Sequence, residues 1–159
     1  DEQAMEAALR IKDAKKDTRI TALSLGDSHS RDILKHCLSM GADEAILLED
    51  SVFSTCDCAG LAYALSMATR KIGPFDLILC GRQAADWDES QTGAFIAENL
   101  GIPAVTLARK VENTGANIRV ERVTLEGYDI VETPMPALIT ISNELGQPRL
   151  PTGMGICRL

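Results

Sequence analysis

The stretch with the most chemistry in it is Gly81-Arg82-Gln83-Ala84-Ala85-Asp86-Trp87-Asp88-Glu89-Ser90-Gln91-Thr92-Gly93. It follows an apolar run, Phe75-Asp76-Leu77-Ile78-Leu79-Cys80, and leads into Ala94-Phe95-Ile96-Ala97-Glu98-Asn99-Leu100. That order reads as strand, polar loop, helix. Open α/β sheets bind ligands at this kind of junction. A helix N-terminus presents backbone N–H groups and the positive end of the helix dipole, so phosphate is the natural ligand. Asp86, Asp88 and Glu89 make the loop acidic. A phosphate there must be held by main-chain N–H groups, Ser90, Gln91 and Thr92, with the carboxylates pointing away. The same residues also suit an ordinary helix cap by Ser90 or Thr92. Local spacing leaves both readings open.

Other reactive side chains are less well placed. Cys56-Asp57-Cys58 is close-spaced, and His36 stands beside Cys37. Structural zinc prefers two residues between paired cysteines and a second such pair, and neither is present. Cys37 and Cys80 sit among apolar residues and read as buried thiols. His29 and His36 fall on one predicted helix, roughly on one face. No spacing of Ser, Asp or Glu indicates a catalytic triad.

The elements that must position the loop alternate. Residues 2–15 read as a helix with Met5, Ala8, Leu9 and Ile11 on one stripe. Residues 20–25 read as a buried strand, 28–39 as a helix ended by Gly41, and 44–48 as a strand. Residues 55–72 read as a helix closed by Gly73-Pro74, 75–80 as a strand, and the helix after the loop runs to Asn99. Continuous apolar strands between helices predict a parallel sheet covered on both faces. After Pro103 the period changes. Strands are predicted at 105–111, 118–125 and 128–132, with turns at Asn113-Thr114-Gly115 and Glu126-Gly127. A buried strand follows at 137–142. The fold class is therefore α/β, a doubly wound, mostly parallel sheet with an antiparallel hairpin extension. Residues 1–142 are expected to form one α/β domain, and 143–159 begin a tail with little periodicity.

Composition narrows the function. The chain has 159 residues, enough for one domain with a sizeable core. A net charge of −7 and 4% aromatic residues argue against nucleic acid as a partner. No apolar run is long enough to insert in a membrane. Five cysteines in a chain of this size, with no signal-peptide pattern, predict a reducing cytoplasm.

Four collinear segments resemble the beta subunit of electron transfer flavoprotein, FixA-type relatives included. They are Glu6-Ala7-Ala8-Leu9-Arg10-Ile11-Lys12; Thr21 to Gly26 with Met40-Gly41-Ala42-Asp43-Glu44-Ala45-Ile46-Leu47-Leu48; the 81–93 loop; and Glu121-Arg122, Gly127, Pro136 to Thr140 and Asn143-Glu144 through Pro148-Arg149. The resemblance implies a fold of the adenine-nucleotide alpha-hydrolase type. It implies a nucleotide in this subunit, AMP or FAD, held by Gly81 through Thr92 with Leu25 at the end of a strand. Ser90, Gln91 and Thr92 would meet phosphate, and Gly81 and Gln83 would shape the wall near ribose and adenine. It also implies an electron transfer flavoprotein alpha subunit carrying FAD as partner, a flavin-dependent dehydrogenase as the other partner, and an electron-carrier role without catalysis of its own.

The family has a strand and loop ahead of the first helix, and only Asp1 remains of that edge here. Without that strand the sheet is expected to expose edges, and the fragment to self-associate or to borrow a strand. Gly153 falls near the position of the family's apolar anchor for dehydrogenases, with Met154 beside it. The segment from 143 is accordingly either the start of a partner-recognition tail or simply solvated. Two other classes share the broad fold: a nucleotide-hydrolysing or adenylating enzyme, of which Ser24-Leu25-Gly26-Asp27-Ser28 is a faint echo, and a stand-alone ATP- or AMP-binding stress-type module.

Overall fold

Asp1 starts the first helix. Its carboxylate accepts from the Ala4 N–H at 2.8 Å, which satisfies one of the donors a helix start leaves over. The structure, a computed structural model, describes residues 1–82 and 91–156. Helix α1 (Glu2–Ala14) buries Ala4, Met5, Ala7, Leu9 and Ile11. Strand β1 (Thr21–Gly26), helix α2 (Ser30–Met40) and strand β2 (Glu44–Glu49) follow. A short 3-10 turn at Ser51–Thr55 leads to α3 (Cys58–Ile72), β3 (Leu77–Gly81) and α4 (Thr92–Leu100). The helix predicted at 55–72 thus starts three residues later, at Cys58, where Asp57 caps it, and the separate 3-10 turn before it is capped by Asp50.

Strands β4 (Ala104–Asn113), β5 (Asn117–Thr124) and β6 (Gly127–Pro134) form two antiparallel hairpins, and β7 (Ala137–Ile141) returns parallel to β3 and β4. Gly115 and Gly127 take positive φ of 107° and 150° at the hairpin turns, where a side chain would be strained. Every residue of β7 is buried, as befits a strand covered on both faces. Truncating Ile139, fully buried at its centre, to Ala would cost about 2–5 kcal/mol.

The strands form two ladders. β1 and β2 pair in parallel, with Leu25 opposite Leu48, and the other sheet has the order β3-β7-β4-β5-β6. The fold is α/β as alternation predicted, with a mostly parallel sheet arrangement and an antiparallel hairpin extension. Among the described residues no ladder joins β1 to β3. Instead a cleft separates their edges. On one face it holds about 480 Å³ between β1, β3 and the underside of α1. On the other face about 160 Å³ lies between the same strands, α3 and α4. Helices α1 and α2 cover one face of the sheets, and α3 and α4 cover the other. Periodicity reads elements one at a time, so it does not reveal which neighbours pair.

The segment after β7 is not a solvated tail through residue 156. A 3-10 turn at Asn143–Leu145 buries Leu145, and a short helix, α5 (Gly153–Ile156), packs on α2. Among the described residues no helix is long and apolar enough to cross a membrane.

Candidate functional site

The C-terminal end of β3 stops at Gly81, and the next helix along the chain begins at Thr92. Of the predicted site residues, Leu25, Gly81, Arg82, Gln91 and Thr92 are described. Gln83, Ala84, Ala85, Asp86, Trp87, Asp88, Glu89 and Ser90 lie outside the described residues, and with them the predicted outward aim of the carboxylates.

Two contacts assemble what is described. Gly81 packs so closely on Asp1 that a Cβ built on it would overlap the Asp1 carboxylate. The start of α1 therefore abuts the end of β3, and only glycine allows the approach. At the other side of the loop, Thr92 Oγ1 lies 3.2 Å from Cys58 Sγ. Thr92 opens α4 and Cys58 opens α3, so two helix N-termini converge there. The α3 end is already met by the Asp57 carboxylate, which accepts from the Gly60 N–H at 2.8 Å, so the uncapped first turn of α4 supplies the free donors and the positive dipole end.

Of the two residues offered as an ordinary helix cap, Thr92 does not cap α4, and Ser90 lies outside the described residues. Gln91 occupies the cap position and makes no side-chain cap hydrogen bond. The Thr92 hydroxyl turns across to α3 instead. Gly93, just inside α4, is also a packing requirement: a Cβ there would come within 2.9 Å of Thr140 Cγ2 on β7. That close approach seats the first turn of α4 against the sheet. Leu25 stands at the end of β1 in the other ladder, and Arg82 is exposed just beyond β3.

A phosphate needs donors and positive potential. The first turn of α4, without a cap from Gln91, together with the Thr92 hydroxyl, meets that requirement. That donor set suits an anionic group. Gln3 Oε1, in the first turn of α1, is buried with no hydrogen-bond partner among the described residues, and as an acceptor it is no part of that set.

Two of the thiols are disfavoured as thiolates by their environment. Burial pushes Cys80 up to about 11, and burial raises Cys37 as well. Among the described residues no group of three His, Cys, Asp or Glu side chains stands close enough to hold a metal. His29 pairs with Asp27 at 3.1 Å, and His36 faces Glu2 at 3.2 Å. Both are surface contacts.

Sequence reasoning missed two partnerships. Cys58 was weighed only as a possible metal ligand, although Asp57 just before an apolar periodic run is a cap signal that would have put Cys58 at the helix start. Glu6 lies on the apolar side of α1 between Met5 and Ala7, and a carboxylate there signals a buried cationic partner. The partner is Arg149, whose Nε donates to Glu6 Oε2 at 2.9 Å.

Comparison with known proteins points one way. The electron transfer flavoprotein domain family matches residues 1–156. The chain is 44% identical to the electron transfer flavoprotein subunit beta of Megasphaera elsdenii, with 98% of this chain and 60% of that protein aligned. It is 37% identical to the caffeyl-CoA reductase-Etf complex subunit CarD of Acetobacterium woodii, over 98% of this chain and 60% of that one. Protein FixA of Azorhizobium caulinodans is 37% identical, over 87% of this chain and 51% of its own. The chain thus spans about 60% of the length of the first two relatives.

Proposed function

The chain belongs to the electron transfer flavoprotein family, and from that membership we propose that it is the nucleotide-binding part of a beta subunit. Its cleft holds an AMP moiety, either as AMP or as the adenosine half of FAD. It pairs with an alpha subunit that carries FAD, and the pair passes electrons between flavin-dependent dehydrogenases and their acceptors. The observation that carries this reading is the meeting of α3 and α4 at Cys58 and Thr92, next to the end of β3. The uncapped N-terminus of α4 favours an anion, and a phosphate ester fits its charge and its donors.

When bound, a flavin supplies the one- and two-electron chemistry. The protein's own residues bind and orient. Thr92 and the N–H groups of the first α4 turn hold the phosphate. Ser90 and Gln91 complete that hold from the loop. Gly81 leaves room for Asp1, so the start of α1 closes the wall beside the loop. Asp86, Asp88 and Glu89 point away from the phosphate, toward solvent or the alpha subunit. Buried Cys80 stays a thiol at neutral pH and offers no competing nucleophile.

The relatives' names speak for this reading over a stand-alone nucleotide module or an adenylating enzyme. Co-purification separates the classes. Expressed in full length with an affinity tag, the protein is expected to bring down a larger flavin-containing subunit. A tagged protein that emerges alone as a homodimer with ATP bound contradicts it.

A further inference from the structure

Among the described residues, Leu107 alone takes a positive φ without being a glycine. Its φ is 61°, and it lies in β4 where that strand runs beside β7. Val105 pairs with Ile139 and Ala108 with Ile141, so β4 uses one residue more than β7 between those rungs. That is a β-bulge, with Thr106 and Leu107 standing opposite Thr140. Leucine keeps a left-handed backbone only where its surroundings hold it there, and held strain of this kind gathers at functional sites.

A bulge leaves ladder groups without their usual partners. Here the Leu107 N–H donates to Thr140 Oγ1 at 3.0 Å. The main chain takes over again just beyond, where the Ser142 N–H donates to the Ala108 carbonyl at 2.8 Å. Thr140 is 4% exposed, so its bond to Leu107 is shielded from water. A β-branched side chain has few χ1 wells. With Oγ1 engaged on β4, the direction of the Thr140 methyl group is fixed.

That methyl group faces α4. A Cβ on Gly93 would come within 2.9 Å of Thr140 Cγ2, 3.4 Å of Leu138 Cδ2 and 3.9 Å of Cys80 Cβ. The tightest contact beneath the first turn of α4 is therefore with Thr140. Gly93 follows Thr92, whose hydroxyl meets Cys58. The N–H groups without a side-chain cap belong to this same turn.

We propose that Thr140 is a positioning residue of the nucleotide site. Its methyl group sets where the first turn of α4 rests on the sheet, and the bulge at Leu107 holds that methyl group in place. Thr140 acts through Gly93 rather than on the ligand. This inference rests on the nucleotide reading above. A small shift of the turn misaligns its N–H groups, and hydrogen bonds weaken steeply off line.

The test moves one methyl group across the contact, in the full-length protein with its flavoprotein partner. Gly93→Ala adds a methyl group that collides with Thr140 Cγ2. Thr140→Ser removes that Cγ2 and keeps the acceptor for Leu107. The double variant again has a single methyl group there, on α4 instead of β7. AMP titration calorimetry reads the site, and the backbone amide resonances of Thr92 and Gly93 read the turn without nucleotide. Each single variant is expected to shift those resonances and to bind AMP at least about fivefold more weakly, and the double variant to return to within about twofold of wild type. Thr140→Val keeps a methyl group toward Gly93 and drops the acceptor. Its affinity is expected to fall as well, because the bulge no longer fixes the side chain. Single variants that fold and bind AMP as the wild type does overturn the positioning role, and so does a double variant no better than Gly93→Ala. Should Gly93→Ala fail to fold, the double variant must restore both folding and AMP binding, and the lack of either overturns the role. Unchanged affinity in Thr140→Val removes the bulge from it. Wild-type protein that takes up no AMP overturns the nucleotide reading and the role in binding with it, while the amide resonances still decide whether Thr140 sets the turn.

Discussion

The thiol of Cys58 and the hydroxyl of Thr92 stand 3.2 Å apart, although 34 residues separate them in sequence. Through that contact the first turns of α3 and α4 meet beside the end of β3. Neither helix alone makes a distinctive anion site, because nearly every helix has an N-terminus. Here Asp57 already caps α3, whereas α4 has no side-chain cap, so the contact holds an unsatisfied first turn of α4 in place.

The hydroxyls nearest that point should matter to binding. Thr92→Ala combined with Ser90→Ala is expected to weaken AMP-moiety binding by about 1–3 kcal/mol in sum, if each donates to a charged oxygen. Calorimetry on the full-length protein checks this, and unchanged affinity would remove the loop from the site.

Gly81 should tolerate no side chain. Gly81→Ala drives a methyl group into the Asp1 carboxylate, which caps α1 through the Ala4 N–H at 2.8 Å. Loss of the cap and local overpacking should destabilise by about 1–3 kcal/mol. Urea unfolding should show a lower midpoint at unchanged slope.

Much of this was legible in the sequence, and the misses have physical reasons. The apolar runs at 77–81 and 137–141, and the glycine turns at 115 and 127, depend on local pattern and came through. The loop between β3 and α4 stood out because small and hydroxyl residues follow an apolar strand. That the open edges would be those of β1 and β3 did not, since pairing is a property of two distant segments. The Glu6–Arg149 clasp also escaped: its partners are 143 residues apart, and only the odd placement of Glu6 on an apolar stripe hinted at it.

Glu6 gives the chain an acid-sensitive element. Burial alone would raise its carboxyl, but the hydrogen bonds from Arg149 and Arg10 outweigh that and hold it down, from 4.5 to about 2. A depressed carboxylate stabilises the fold above its unfolded value, and that contribution disappears as pH falls through the folded value. The stability difference between wild type and Glu6→Gln should therefore be full above 4.5 and shrink as pH falls toward about 2. Its size should be about 3 kcal/mol at most. Urea titrations at a series of pH values check it, and a difference that does not vary with pH would mean that Glu6 carries no linked proton.

Thiol reactivity should follow burial. Cys80, pushed up to about 11, and Cys37, also raised, should resist a disulfide reagent at neutral pH until the chain unfolds. Cys56, whose thiol donates to the Val52 carbonyl at an exposed position, should react first. Peptide mapping of the modified protein gives the order, and early modification of Cys80 would contradict the packing of β3 against α3 and α4.

The facing edges of β1 and β3 should make these 159 residues associate when studied by themselves. Sedimentation at several concentrations should show a rising mass. A monomer independent of concentration would show that α1 and α3 close the cleft well enough alone.

The central claim is that the β3–α4 junction holds an adenine nucleotide. The direct measurement is acid extraction of the full-length protein, purified with no nucleotide added, followed by absorbance at adenine and flavin wavelengths. A stoichiometric adenine nucleotide is predicted, free or as part of FAD, and it should be lost from the Ser90→Ala, Thr92→Ala variant. Wild-type protein with no adenine in the extract, or a variant that keeps all of it, would contradict the claim.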